Sequence, residues 1–240
     1  METVNGRNYT GLSTSDNALR HRIIGWITKT FTYSKRKVST SVSLFYNGQS
    51  GSAFSYVYDV SMINDNGKRG ENFDLIYIPT INELGTMNFL PVIENNQVLY
   101  TAAEQVYYLN SFIENDKYLK KHRGEFAKRN GARLPFTHTI DLKLQQNFNI
   151  KLNRKVIGLT ITYDVFNFTN MLNRNWGRIY YVTTDSYSLI KFIGFTNTST
   201  LTPQYQFTPT KGDPWSLQPS TVPGNSARWI SQLGVKININ

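Results

Sequence analysis

The chain has 240 residues, no cysteine and a formal charge of +10 from 26 basic and 16 acidic side chains. The lack of cysteine excludes a disulfide framework and a thiolate metal site, and with no run of about 18 apolar residues there is no transmembrane helix. A hydrophobic content of 40% with a mean hydropathy of −0.40 fits a soluble domain and equally a β-barrel, because half of each barrel strand faces water.

The start, Met1 to Arg7, lacks the charged-then-apolar pattern of a secretory signal, so the chain is expected to stay inside the cell or to be the downstream piece of a longer one. Residues 21–33 and 38–47 predict a hairpin through a turn at Ser34 to Lys37. In its second strand Val38, Thr40, Val42, Leu44 and Tyr46 alternate with Ser39, Ser41, Ser43 and Asn47. The first strand does not declare a face, since Ile23, Ile27, Phe31 and Tyr33 share their side with Lys29. Lys35-Arg36-Lys37 reads as a solvated turn tip in preference to a phosphate contact.

Residues 48–136 follow as a long connection. Asn64-Asp-Asn-Gly67 with Glu71 and Asp74 offers the oxygen ligands that calcium takes, but at a spacing unlike an EF-hand, so an ordinary Asn-Gly turn is expected. Thr101-Ala-Ala-Glu104 is a capping box, with Val106, Leu109, Phe112 and Ile113 behind it at helical spacing, and predicts a helix over Ala102–Asn115. Lys117 to Arg133, carrying Lys120, Lys121, Arg123, Lys128 and Arg129, reads as a surface loop before a polyanion site. The scatter of these basic groups weakens a nucleic-acid reading of the net charge.

Residues 137–150 and 155–168 predict the second hairpin, joined by the Lys151 to Arg154 turn. Ile140, Leu142, Leu144, Phe148 and Ile150 share one face, interrupted by Gln146, and Ile157, Leu159, Ile161, Tyr163 and Val165 repeat the pattern against Gly158, Thr160, Thr162 and Asp164. Residues 169–227 form the second long connection, with short strands expected near 180–182, 189–195 and 204–207 and an irregular stretch punctuated by Pro203, Pro209, Pro214, Pro219 and Pro223. Residues 228–240 predict a last strand with Trp229, Leu233, Val235, Ile237 and Ile239 on one face. Strands of about 10 to 14 residues exceed the usual five or six and can cross a tilted membrane path. Short turns alternating with long connections are an outer-membrane barrel signature, whereas a soluble sandwich uses short connections throughout.

Four motifs in order carry a family resemblance: Asp74-Leu-Ile-Tyr-Ile-Pro79, Arg129-Asn-Gly-Ala-Arg-Leu-Pro-Phe136, Asp164-Val-Phe-Asn-Phe-Thr-Asn-Met-Leu-Asn-Arg-Asn-Trp-Gly177 and Arg228-Trp-Ile-Ser-Gln-Leu-Gly234. Over essentially its whole length the chain resembles the C-terminal part of TonB-dependent outer-membrane receptors, nearest the Bacteroidetes type with a carboxypeptidase-regulatory-like N-terminal domain. The resemblance implies an all-β fold, namely the last five antiparallel strands of a 22-stranded transmembrane barrel, with 48–136 and 169–227 as extracellular loops and the plug domain absent. It implies a place in the cell outer membrane and TonB-dependent uptake of a substrate such as a glycan, peptide or metal chelate. The implied partners are outer-membrane lipid, the remainder of the barrel and plug, the energy-transducing complex reached through the missing N-terminal part, the barrel-assembly machinery and a surface lipoprotein. One departure is the end at Ile239-Asn240, where members of the family close on an aromatic residue that the assembly machinery reads.

Catalytic chemistry finds no foothold in the residues. His21, His122 and His138 are scattered, without metal-ligand spacing or a triad pattern. Asp141 and Asp164 could pair as acid and base, but nearby Lys143 favours an ion-pair and hydrogen-bond network. No enzymatic activity, cofactor, metal site or nucleic-acid partner is expected, and no ligand-binding residue is assigned. Phe54, Tyr56, Tyr58, Tyr77, Tyr107, Tyr108, Trp176, Tyr180, Tyr181 and Trp215 lie in the long connections, where packing is the expected role and ligand stacking the alternative. Tyr46, Tyr163 and Trp229 suit interface girdles. The rival reading is a soluble or surface-attached β-sheet module that binds glycan or protein through those aromatic loops.

Overall fold

The computed structural model describes residues 4, 11–33, 35, 37–62, 74–152, 155–196, 199–209, 212–217 and 227–239. In chain order the elements begin with β1 (Arg22–Tyr33), β2 (Val38–Gln49), β3 (Ala53–Tyr58) and β4 (Tyr77–Ile78). Next come α1 (Ile81–Leu84), β5 (Asn88–Phe89), the hairpin β6 (Val92–Glu94) and β7 (Gln97–Tyr100), and α2 (Ala102–Asn115). Two-residue strands β8 (Glu125–Phe126) and β9 (Ala132–Arg133) precede the long pair β10 (Thr137–Leu152) and β11 (Lys155–Phe166). The rest comprises α3 (Phe168–Leu172), β12 (Tyr180–Tyr181), β13 (Ser186–Phe195), β14 (Pro203–Gln206), β15 (Ser216–Leu217) and β16 (Ile230–Ile239). The class is all-β, with few helices.

Two compact units divide the chain: 19–51, 135–181 and 216–240 form the first, and 1–18, 52–134 and 182–215 the second. The first is built on one antiparallel sheet in the order β1-β2-β10-β11-β16. It does not close into a barrel, and β1 and β16 are its edges among the described residues. β11 stops at Phe166, short of the expected 168, because Asn167 turns left-handed (φ 54, ψ 47) and Phe168 opens α3.

The second unit gathers the two stretches read from sequence as long connections. Its mixed sheet runs β5-β14-β13-β3-β9, and the parallel pairing of β13 with β3 ties 182–215 to 52–134. β3 is buried at every residue, so both of its faces are covered and its sequence shows no alternation. α2 docks through Gln105, Leu109 and Ile113, four residues apart and all buried. The Gln105 amide donates to the Leu90 carbonyl at 2.8 Å and accepts from the Phe207 N–H at 2.8 Å, which satisfies a buried polar group from both ends.

Tyr56 lies at the heart of this core. Its ring meets Phe54, Phe112 and Tyr187 edge-on and stacks parallel to Tyr118. Its hydroxyl donates to Asp116 at 2.8 Å. Burial, and then the neighbouring Asp116 charge, push that hydroxyl far above the ordinary tyrosine range.

Candidate functional site

The five-stranded sheet presents two chemically distinct faces, and strand register decides which residues belong to each. Residues directly opposite across an antiparallel ladder share a face. One face therefore carries the rows Ile27–Leu44–Leu142–Val165, Lys29–Val42–Leu144–Tyr163–Leu233, Phe31–Thr40–Gln146–Ile161–Val235 and Tyr33–Val38–Phe148–Leu159–Ile237. These rows are apolar apart from Lys29, the Thr40–Gln146 pair and Ser231, which continues the first row opposite Val165.

The pairing also assigns β1, which its own sequence left open. Lys29 sits opposite Val42 on the apolar face, with its ammonium 5.9 Å from the Phe31 ring centroid. Thr40 donates to Gln146 at 2.6 Å, so this polar pair is satisfied within the face.

Val165 is buried, but little covers many of the other apolar side chains. Trp229, Leu233, Val235 and Ile237 are exposed, Leu233 at 69% of its full surface, as are Ile27, Phe31 and Tyr33 at the opposite edge. A contiguous apolar face of this extent on a soluble monomer marks a surface that something else covers.

The other face is a polar ladder. Thr28–Ser43–Lys143–Asp164–Gln232, Thr30–Ser41–Gln145–Thr162–Gly234 and Thr32–Ser39–Asn147–Thr160–Lys236 run across all five strands. Thr28 donates to Ser43 at 2.9 Å, Thr30 and Ser41 are 2.9 Å apart, Asn147 donates to Ser39 at 3.2 Å, and Thr160 donates to Asn147 at 2.8 Å. Toward the end away from the turns the face changes character, with the exposed Trp26 and Phe45 in one row with Asp141 and the exposed Phe166 opposite Ile230.

Asp141 and Asp164, for which a network around Lys143 was expected in preference to an acid–base pair, have separate partners. Asp164 lies 3.3 Å from the Lys143 ammonium, and Asp141 accepts the Asn167 N–H at 2.7 Å. The histidines do not converge: His138 Nδ1 is 2.8 Å from the Tyr46 hydroxyl, His122 Nδ1 is 2.8 Å from the Tyr118 carbonyl oxygen, and the His21 N–H donates to the Ser50 hydroxyl. Among the described residues no three His, Cys, Asp or Glu side chains gather to hold a metal. Asn64 to Gly67 and Glu71, weighed above as calcium ligands, lie outside the described residues; Asp74 accepts the Met62 N–H at 2.6 Å.

Of the aromatic residues in the long connections, Phe54, Tyr56 and Tyr58 are core, and Tyr107, Tyr108 and Trp176 are exposed. Three of the four sequence motifs make scaffold contacts. Asp74 to Ile76 pairs along β3 through Tyr58 N–H to Asp74 O and Ile76 N–H to Tyr56 O. Arg129 forks onto the Asp16 carboxylate at 2.8 Å, the Asn130 side chain donates to Thr14 O, and Arg133 donates to Ala18 O. Gly131 lies so close under the Tyr118 ring that a Cβ would overlap it. Asn167 and Asn170 bind the carbonyls of Gly177, Arg174 and Trp176, which folds the corner after β11.

No family model, curated protein or solved structure matches the chain in comparisons with all three. The sheet's two faces are therefore the feature from which a function is read.

Proposed function

We propose that the chain is the C-terminal wall segment of a TonB-dependent outer-membrane receptor, a transport protein without a chemical step. The observation that carries the reading is the five-stranded sheet with an uncovered apolar face on one side and a hydrogen-bonded hydroxyl and amide ladder on the other. A barrel wall needs both, one facing hydrocarbon and one facing a wet lumen.

Dimensions agree with that role. Twelve residues in β1, β2 and β11 extend about 40 Å at roughly 3.3 Å each, or about 30 Å of height at a tilt near 40°, enough for an apolar band of about 25 Å. Tyr33 and Phe148 toward the turns, with Tyr46 toward the other end, bracket this face as aromatic girdles do.

On this reading the turns face the periplasm, the connections 48–136 and 169–227 are extracellular, and the edges of β1 and β16 pair with the remaining strands of the barrel. A plug, the energy-transducing complex and the assembly machinery act on the whole receptor, which takes up a glycan, peptide or metal chelate. Fractionation tests it: recovery in the outer membrane, with a gel mobility that changes on heating, supports the proposal, and recovery in the soluble cytoplasm overturns it.

A further inference from the structure

We infer that the turn end of the five-stranded sheet binds the anionic phosphodiester headgroups of the bilayer leaflet it faces. The inference rests on the membrane reading of the apolar face and adds to it a lipid preference.

Charge is segregated between the two units. Residues 19–51, 135–181 and 216–240 hold fourteen Lys and Arg against two acids, Asp141 and Asp164, whereas the rest of the chain holds twelve against fourteen. Both acids lie toward the end of the sheet away from the turns and are engaged there, Asp164 with Lys143 and Asp141 with the Asn167 N–H. The strand segments nearer the turns, 29–41, 144–163 and 233–239, contain no Asp or Glu.

Register and hydrogen bonding bring the cations of this end together. Asn149 donates its N–H to the Lys37 carbonyl at 2.7 Å, Val38 faces Phe148, and Lys155 faces Leu152. Lys35, Lys37, Lys151 and Lys155 are all exposed there. Lys155 shares the parity of Ile157 and Leu159, so it continues the apolar face beyond its last apolar row.

The apolar face runs into Lys155, with Lys37 and Lys151 on the opposite parity and Lys35 exposed at the same turn end, and this order matches a bilayer: hydrocarbon beside Phe148, Leu159 and Ile237, then phosphate oxygens around the lysines at the turns. Long lysine stems lie along apolar surface and carry the charge to the headgroup layer. Lys29, on the apolar face two rows inside Tyr33, holds its ammonium 5.9 Å from the ring centroid of Phe31, one row nearer the turns. A duplex nucleic acid offers the same phosphate chemistry but nothing for the adjoining apolar rows.

The test uses the whole protein, extracted in detergent from the membrane and exchanged into nanodiscs with equal phosphatidylglycerol and phosphatidylcholine; retained lipid is read by native mass spectrometry. The expected result is retention of phosphatidylglycerol over phosphatidylcholine by roughly tenfold or more, given the attraction of each lysine to an anionic surface, and loss of the preference in K35Q/K37Q/K151Q/K155Q. R174Q/R178Q, which removes two cations of the same unit outside the turns, keeps it. The turn pair K35Q/K37Q alone weakens it, which guards against misfolding of the quadruple variant. Equal retention of both lipids, an unchanged preference in the quadruple variant, or displacement of phosphatidylglycerol by inorganic phosphate at constant ionic strength overturns the inference and leaves the membrane reading standing. Absence of the protein from the membrane fraction at the first step overturns that reading, and this inference with it.

Discussion

Asn167 donates from its side-chain amide to the carbonyl oxygen of Gly177 at 2.8 Å, and this buried bond closes the corner that follows β11. Asn167 tolerates its left-handed backbone as few residues do, and Gly177 needs the same freedom at φ +59. A Cβ on Gly177 would also overlap the Asn167 side chain. N167A is expected to cost about 1–3 kcal/mol, as for a buried group left unpaired, and G177A more than N167A. Urea unfolding in lipid, followed by tryptophan fluorescence, gives both values.

The Thr40–Gln146 pair is a hydrogen-bonded polar couple within the apolar rows. Removing one partner strands the other, so T40V alone is expected to destabilise by about 1–3 kcal/mol, whereas T40V/Q146L together is close to neutral. A double-mutant cycle in lipid measures the coupling; additive single costs would contradict the mutual satisfaction of the pair.

Neighbouring residues of β16 offer the sharpest contrast between faces. Leu233 lies on the apolar face and Gln232 on the polar one, opposite Asp164. L233R is expected to cost about 2–4 kcal/mol in a bilayer, the range for a cation near mid-membrane on a barrel's lipid side. Q232R is expected to change stability by no more than about 0.5 kcal/mol. Folding equilibria in the same lipid compare the two.

Helix α2 carries a pH dependence at its cap. The Thr101 N–H and hydroxyl both donate to Glu104 at 2.8 Å and hold its carboxyl below the usual glutamate range. A depressed folded-state value means that the cap's contribution is fully present above the unfolded value and is lost as pH falls through the folded one. Amide exchange at the start of α2 is expected to speed up as pH drops below about 4, after correction for intrinsic rates, relative to E104Q, which lacks this titration.

Much of the first unit was legible in the chain, and the reason is physical. A strand with one dry and one wet face writes a period of two, as Ile157 to Val165 do, and turns too short for any other connection fix the partner. β1 was ambiguous because Ile24 and Trp26 put apolar groups on the polar face while Lys29 sits on the apolar one; only its register with β2 resolves it. β3 was missed because a strand buried on both sides has no period to show. The parallel contact of β3 with β13 joins residues more than a hundred positions apart, which no local pattern announces. The capping box at Thr101, by contrast, marks the start of α2 directly.

The most direct test of the two-faced wall exploits the absence of cysteine. Single cysteines at Leu233, Val235 and Ile237, and at Gln232, Gly234 and Lys236, can each carry a spin label in the membrane-embedded protein. The account predicts that labels at 233, 235 and 237 collide with dissolved oxygen and escape a water-soluble nickel chelate, while labels at 232, 234 and 236 do the reverse. Equal access of the nickel chelate to both sets would contradict it.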